Sequence, residues 1–244
     1  MDQRIIDLYD TFTHGDMHRR EFLDRLAALA GSTAAAAALL PLLENNYAQA
    51  AIVDPNDARL AIERLAYDSP KGRINGYLAR PKAREKRPAV LVIHENRGLN
   101  PHLEDVARRF ALEGFLGYAV DLLSLVGGTP PNEDAARELH TKMNQDDAVI
   151  ALVAAVSFLK RHPESTGKVG AVGFCFGGLM VNRLAVASEE LDAGVAYYGR
   201  QVPADQVPRI KAPLLLHYAE HDAGVNAGIA AFRASGVELR SVTL

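Results

Sequence analysis

The chain has one cysteine, Cys175, among its 244 residues. A single thiol excludes an internal disulfide and any zinc site built on cysteines. Charge of one sign is also missing: 27 Lys and Arg stand against 30 Asp and Glu, for a formal net charge of −3. That balance suits neither nucleic acid nor an anionic membrane surface as a partner. There is no repeat and no low-complexity linker, and a composition that is 48% hydrophobic and 23% charged belongs to an ordinary globular protein. A stable membrane span is not expected, because the uncharged stretch Leu26 to Leu43 is barely span length, rich in Ala and interrupted by Pro41. A lone cysteine is by general tendency an inert core residue, and becomes a nucleophile only where its surroundings make it one.

The first fifty residues differ from the rest. Arg19-Arg20-Glu21-Phe22-Leu23 precedes the uncharged stretch, and Ala48-Gln49-Ala50 follows it. Paired arginines, an apolar run and an A-x-A site make the three-part pattern of a cleavable leader. The arginine pair resembles a twin-arginine signal, which implies delivery to the periplasm. Residues 1–50 are therefore expected to be an export leader; the alternative is an amphipathic N-terminal helix packed on a cytoplasmic protein. Residues 51–244 are expected to form one α/β domain with a sizeable core.

Within that domain, Ala61 to Tyr67 and Arg73 to Ala79 flank Ser69-Pro70-Lys71-Gly72 and predict a hairpin. Ala89 to Ile93 is an unbroken apolar run, as a strand buried on both faces requires. Asn100-Pro101 predicts a capped helix start, with Leu103, Val106, Ala107 and Phe110 at helical spacing. Leu116 to Val120, Val169 to Phe174, Ala193 to Tyr198 and Pro213 to Tyr218 predict further strands, and Gly236 to Leu244 a final strand region. Helical patterns fill Glu133 to Lys142, Asp146 to Lys160, Gly178 to Ala187 and Ala227 to Ala234. Strand and helix alternating in this way specify a mostly parallel sheet covered on both faces. Functional groups then belong at the carboxyl ends of the strands. That rule selects Glu95, Asp121, Cys175, Tyr198-Gly199 and Glu220-His221-Asp222.

Gly173-Phe174-Cys175-Phe176-Gly177-Gly178 lies between a predicted strand and a predicted helix. This is the nucleophile elbow, with Cys in place of Ser. Its glycines are needed because side chains two positions either side of the nucleophile would collide with the neighbouring strand and helix. The following helix start is expected to lower the thiol pKa, and the Phe176 N–H to donate to an oxyanion. A dinucleotide fold fits the same glycines less well: the spacing is not G-x-G-x-x-G, and Asp192 precedes a strand where a ribose-binding acid should end one. No cofactor is called for.

From about Ala61 to Leu244 the chain resembles the dienelactone hydrolase family, a branch of the α/β-hydrolases with a cysteine nucleophile. The likeness rests on Ile93-His94-Glu95-Asn96-Arg97-Gly98, Gly173 to Gly178, Tyr197-Tyr198-Gly199 and His221-Asp222. It implies that Cys175 is the nucleophile, that Asp222 orients a catalytic histidine, and that Glu95 pairs with the resting thiol and releases it when substrate binds. The amides of Asn96 and Phe176 would form the oxyanion hole. The implied substrate is a small ester or lactone. The family's histidine follows the acid, yet none of the eight histidines lies beyond Asp222, so the catalytic base and the closing helix are expected to be missing from a truncated domain. His221 is a poor substitute, since neighbours on a strand end point to opposite sides. His217 and His221 stand roughly 13 Å apart along an extended strand, too far to share a metal. His94 is expected to be a structural neighbour of Glu95. The family also holds its substrate's carboxylate with an arginine after the strand ending at Asp121, whereas Leu122 to Gly128 carries no positive charge. Three functions follow: a thiol hydrolase impaired by its missing base, an inactive truncated hydrolase, or a redox-responsive thiol. Oligomeric state is not legible.

Overall fold

The computed structural model describes residues 2–15, 17–43, 51–220, 222–234 and 239–243. They fall into two compact units, Met1–Ala51 and Ile52–Leu244. The first holds α1 (Gln3–His14), α2 (Arg19–Ala30) and α3 (Thr33–Leu43). Asp2 caps α1, and Gly31, at φ +85°, ends α2 in the left-handed conformation that glycine adopts without strain. Ile5, Leu8, Phe12, Met17, Phe22, Leu26 and Ala36 form the unit's own core, with Phe12 stacked on Phe22 at 4.3 Å. The uncharged stretch is thus two helices meeting at a bend of 111°, and no single described helix is long and apolar enough to cross a membrane. The A-x-A site at residues 48–50 lies outside the described residues.

The second unit is built on β1 (Leu60–Arg64), β2 (Tyr67–Ser69), β3 (Gly72–Pro81), β4 (Arg87–Ile93), β5 (Leu116–Asp121), β6 (Ser165–Phe174), β7 (Ala193–Tyr197), β8 (Leu214–Tyr218) and β9 (Leu239–Thr243). The sheet runs β1-β3-β5-β4-β6-β7-β8-β9, with β2 paired to β3. β3 is antiparallel to β1, β2 and β5, and every pairing from β5 to β9 is parallel. This is the expected α/β architecture. The sheet is covered by α4 (Pro101–Leu112) on one face and by α6 (Gln145–Lys160) and α7 (Phe176–Ala187) on the other. Alternation along β4 shows why: Leu91 and Ile93 join the core beneath α6 and α7, while Val92 joins the one beneath α4.

Two segments depart from the sequence expectation. The first arm of the hairpin is broken into β1 and β2, because Tyr118 reaches between the strands and donates its hydroxyl to the Leu65 carbonyl at 2.7 Å. Gly76 faces that ring, and any side chain there would overlap it. The helix expected over Ala227 to Ala234 is instead α8 (Ala223–Asn226) and α9 (Ile229–Ala234). At the break, a side chain on Gly228 would overlap Gln201.

Helix α4 carries an unexpected buried pair. Asp105 and Arg108 are both almost fully buried, at 2% exposure each. Asp105 accepts from the amides of Ile52 (3.2 Å) and Val53 (2.8 Å), while Arg108 donates to the Val53 carbonyl and the Tyr77 hydroxyl, each at 2.9 Å. The pair pins the first residues of the domain to α4. Removing one member strands the other, so Asp105→Ala should cost about 3 kcal/mol of unfolding free energy, measured by chemical denaturation.

Candidate active site

Cys175 stands between β6 and α7 at φ 54° and ψ −113°, one of two described non-glycine residues at positive φ. Its N–H donates to the Tyr197 carbonyl at 2.9 Å, and its carbonyl accepts from the Leu179 amide at 3.2 Å. The surrounding glycines are required by contact. A side chain on Gly173 would overlap the Gly177 carbonyl, and one on Gly177 would overlap the carbonyl of Ile93 at the end of β4. A Cβ on Gly178 would stand 2.7 Å from the Tyr197 carbonyl oxygen. The start of α7 is therefore wedged between the ends of β4 and β7, and the segment after β4 carries Glu95 and Asn96.

The thiol is half-buried, and its pKa is raised rather than lowered. Burial is the main cause; the Phe176 amide, hydrogen-bonded to the sulfur, opposes it, the Glu95 carboxylate adds to it, and the Arg200 guanidinium opposes it. The expected lowering at the helix start is thus overturned, because desolvation outweighs the hydrogen bond from the Phe176 amide. The Phe176 amide and the Glu95 carboxylate thus both act on the Cys175 thiol.

The other strand-end residues separate by what they touch. His94 is fully buried. Its Nε2 accepts from the Leu122 amide at 3.1 Å and its Nδ1 lies 2.5 Å from the Glu95 carbonyl, so one neutral tautomer satisfies both contacts. Burial lowers its pKa, which keeps it neutral. It fixes the backbone at Glu95, the structural role expected of it. Asp121 accepts from the amides of Leu123 (3.1 Å) and Thr129 (3.0 Å) and from the Thr129 hydroxyl (2.6 Å), so its carboxylate staples the 3-10 turn Leu122–Val126. Arg97 is tied to Glu133 of α5 (Glu133–Lys142) at 2.7 Å.

Asp222 caps α8 through the Val225 amide at 2.7 Å, and its other oxygen accepts a short hydrogen bond from the Tyr198 hydroxyl. Tyr198 is the second positive-φ residue, at φ 56°. Asp222 follows β8, two strands from the end of β6, or about 10 Å across the sheet. Tyr198 stands between, at the end of β7. His217 stacks flat on Tyr197 at 4.2 Å with both ring nitrogens buried and unpartnered, and His221 lies outside the described residues. Among the described residues no group of three His, Cys, Asp or Glu is placed to hold a metal.

Arg200 was not singled out by the sequence patterns. Its carbonyl accepts from the buried Asn182 side chain at 2.9 Å, which fixes it to α7, and its charge reaches the Cys175 thiol. Its place just after Tyr197-Tyr198-Gly199, at a strand's carboxyl end, is the signal that identifies it.

A mostly parallel sheet with a nucleophile elbow at the carboxyl end of a central strand defines an α/β-hydrolase-like protein. Residues 74–239 match the dienelactone hydrolase family, and the chain belongs to it. Residues 1–31 match a separate family described as YqhI-like. A protein of Escherichia coli (strain K12) named as a hydrolase fragment, YghX, is 49% identical over 112 residues, 45% of this chain and 96% of that one. The carboxymethylenebutenolidase of Pseudomonas putida is 29% identical over 169 residues, covering 66% of this chain and 71% of the enzyme. A Methylorubrum extorquens protein named for the same activity is 33% identical over 168 residues, and the match spans only 58% of its length. Among solved structures, a dienelactone hydrolase-type protein from Klebsiella pneumoniae superposes with a TM-score of 0.67 at 27% identity, covering 75% of this chain and 85% of that one.

The two charges around the sulfur should act in opposite directions. Glu95→Gln is expected to lower the Cys175 pKa and Arg200→Gln to raise it, both read from the ultraviolet absorbance of the sole thiolate as pH is varied.

Proposed function

We propose that this chain is an ester or lactone hydrolase of the dienelactone hydrolase family with Cys175 as its nucleophile. One observation carries the reading: a cysteine held at positive φ on a strand-to-helix elbow, with the Phe176 amide on its sulfur and the Glu95 carboxylate beside it. In the resting protein the raised pKa keeps the thiol protonated, and Glu95 is its proton acceptor when substrate arrives. The sulfur then attacks the carbonyl carbon, the electron pair moves to oxygen, and the amides of Asn96 and Phe176 stabilise that oxyanion. Collapse breaks the bond to the leaving oxygen, which takes the proton from Glu95, and leaves an acyl-cysteine. Water hydrolyses that thioester when a base removes its proton. Asp222 is the group that would orient a histidine for this second step, and residues 223–244 contain no histidine. The groups present support acylation, and the base for deacylation is not among residues 223–244.

The substrate is a small-molecule ester or lactone. Residues 122–128, which begin with the 3-10 turn Leu122–Val126 and bury Leu122 and Leu123, offer no cation to a substrate carboxylate. The redox-responsive alternative loses its main support with the raised thiol pKa, since oxidation-sensitive cysteines are low in pKa. An activated ester mixed rapidly with the protein should give a burst of product close to one equivalent. Cys175→Ala should abolish the burst. The absence of any burst would contradict the nucleophile.

For residues 1–50 the proposal is an export leader that delivers the folded domain to the periplasm, supported by Arg19-Arg20 ahead of an uncharged stretch. The second reading, a retained helical module, is favoured by the core that packs α1, α2 and α3 together. N-terminal sequencing of mature protein separates them: export predicts a start at or just after Ala50, and retention predicts Met1 or Asp2.

A further inference from the structure

Two imidazoles flank the ring of Phe176, the residue whose amide meets the thiol. His94 lies nearly parallel to it at 6.3 Å, and His140, from α5, meets it edge to face at 4.4 Å and 87°. Both nitrogens of His94 have partners. His140 is different: its Nε2 is buried with no hydrogen-bond partner. Burial, with His94 as a lesser cause, holds its pKa at about 4, so the ring is neutral near pH 7. A buried nitrogen left idle is a cost that most folds avoid, and it points to a use for the ring itself.

The same helix reaches the site a second time. Glu133, at the first turn of α5, holds Arg97 in the loop that carries Glu95 and Asn96. One helix thus braces both sides of the oxyanion hole, the loop through Glu133 and the elbow through His140. We propose that His140 is a positioning residue for the elbow: its ring clamps Phe176 edge to face and thereby keeps the Phe176 amide on the Cys175 sulfur. An edge-to-face contact fixes the orientation of the Phe176 side chain as well as its depth, which an aliphatic neighbour would not do. His140 acts through Phe176 and exchanges no proton with the substrate.

The inference rests on Cys175 being the nucleophile, but its test does not need turnover. Because Cys175 is the sole thiol, the pH dependence of its alkylation by iodoacetamide reads its pKa directly. The charges that face the sulfur, Glu95 and Arg200, are left in place. His140→Ala should weaken the amide–sulfur hydrogen bond, raise the thiol pKa by about half a unit and slow alkylation near pH 8 by about threefold. His140→Phe keeps a ring against Phe176 and should restore both values. His140→Gln, polar and ringless, should behave as His140→Ala and replaces it if that variant does not fold. An unchanged or lowered pKa in the ringless variants, or no recovery in His140→Phe, overturns the proposal. If the shifts appear as expected while wild-type protein gives no ester burst, the hydrolase reading fails and the positioning role stands.

Discussion

The close approach of Gly177 to the carbonyl of Ile93 is the contact on which the site depends. A hydrogen in place of a side chain lets the first turn of α7 lie against the end of β4. That approach places the elbow beside the segment bearing Glu95 and Asn96, two elements far apart in sequence. Gly173 and Gly178 extend the same economy of space to α7 itself and to the end of β7. Cys175 takes its positive φ as a consequence, and the surrounding backbone hydrogen bonds to Tyr197 and Leu179 hold it there.

Once wedged in this way, the sulfur is more shielded from water than a surface thiol. Desolvation then dominates over the helix start, and a carboxylate nearby adds to it. The outcome is a thiol kept neutral. A neutral resting thiol is poorly reactive toward oxidants and electrophiles in general.

Several groups that resemble catalytic residues turn out to hold the scaffold. Asp121 staples a turn, His94 fixes a carbonyl and an amide, and Arg97 is bound to Glu133. Strand ends concentrate polar side chains because the backbone there has unsatisfied groups as well as open space. The Asp105–Arg108 pair serves the same purpose at the opposite edge of function, anchoring the first residues of the domain. Asp222 combines both characters: one oxygen caps α8, and the other is engaged by Tyr198.

The order of strands and helices was legible in the sequence, since continuous apolar runs and helical spacing are local signals that the sheet only had to accept. The elbow was legible for the same reason: Gly173, Cys175 and Gly177 declare a cramped turn wherever they fall between a strand and a helix. What the sequence could not reveal depends on neighbours remote along the chain. Tyr118 breaking the first arm of the hairpin, Gly228 yielding to Gln201, Arg200 reaching the thiol and His140 meeting Phe176 are all contacts between distant segments. The sign of the thiol's pKa shift belongs with them. By itself the sequence determined that a cysteine would stand at a helix start, which favours the thiolate; the tertiary structure decided how deeply it would be buried and beside which charges, and burial prevailed.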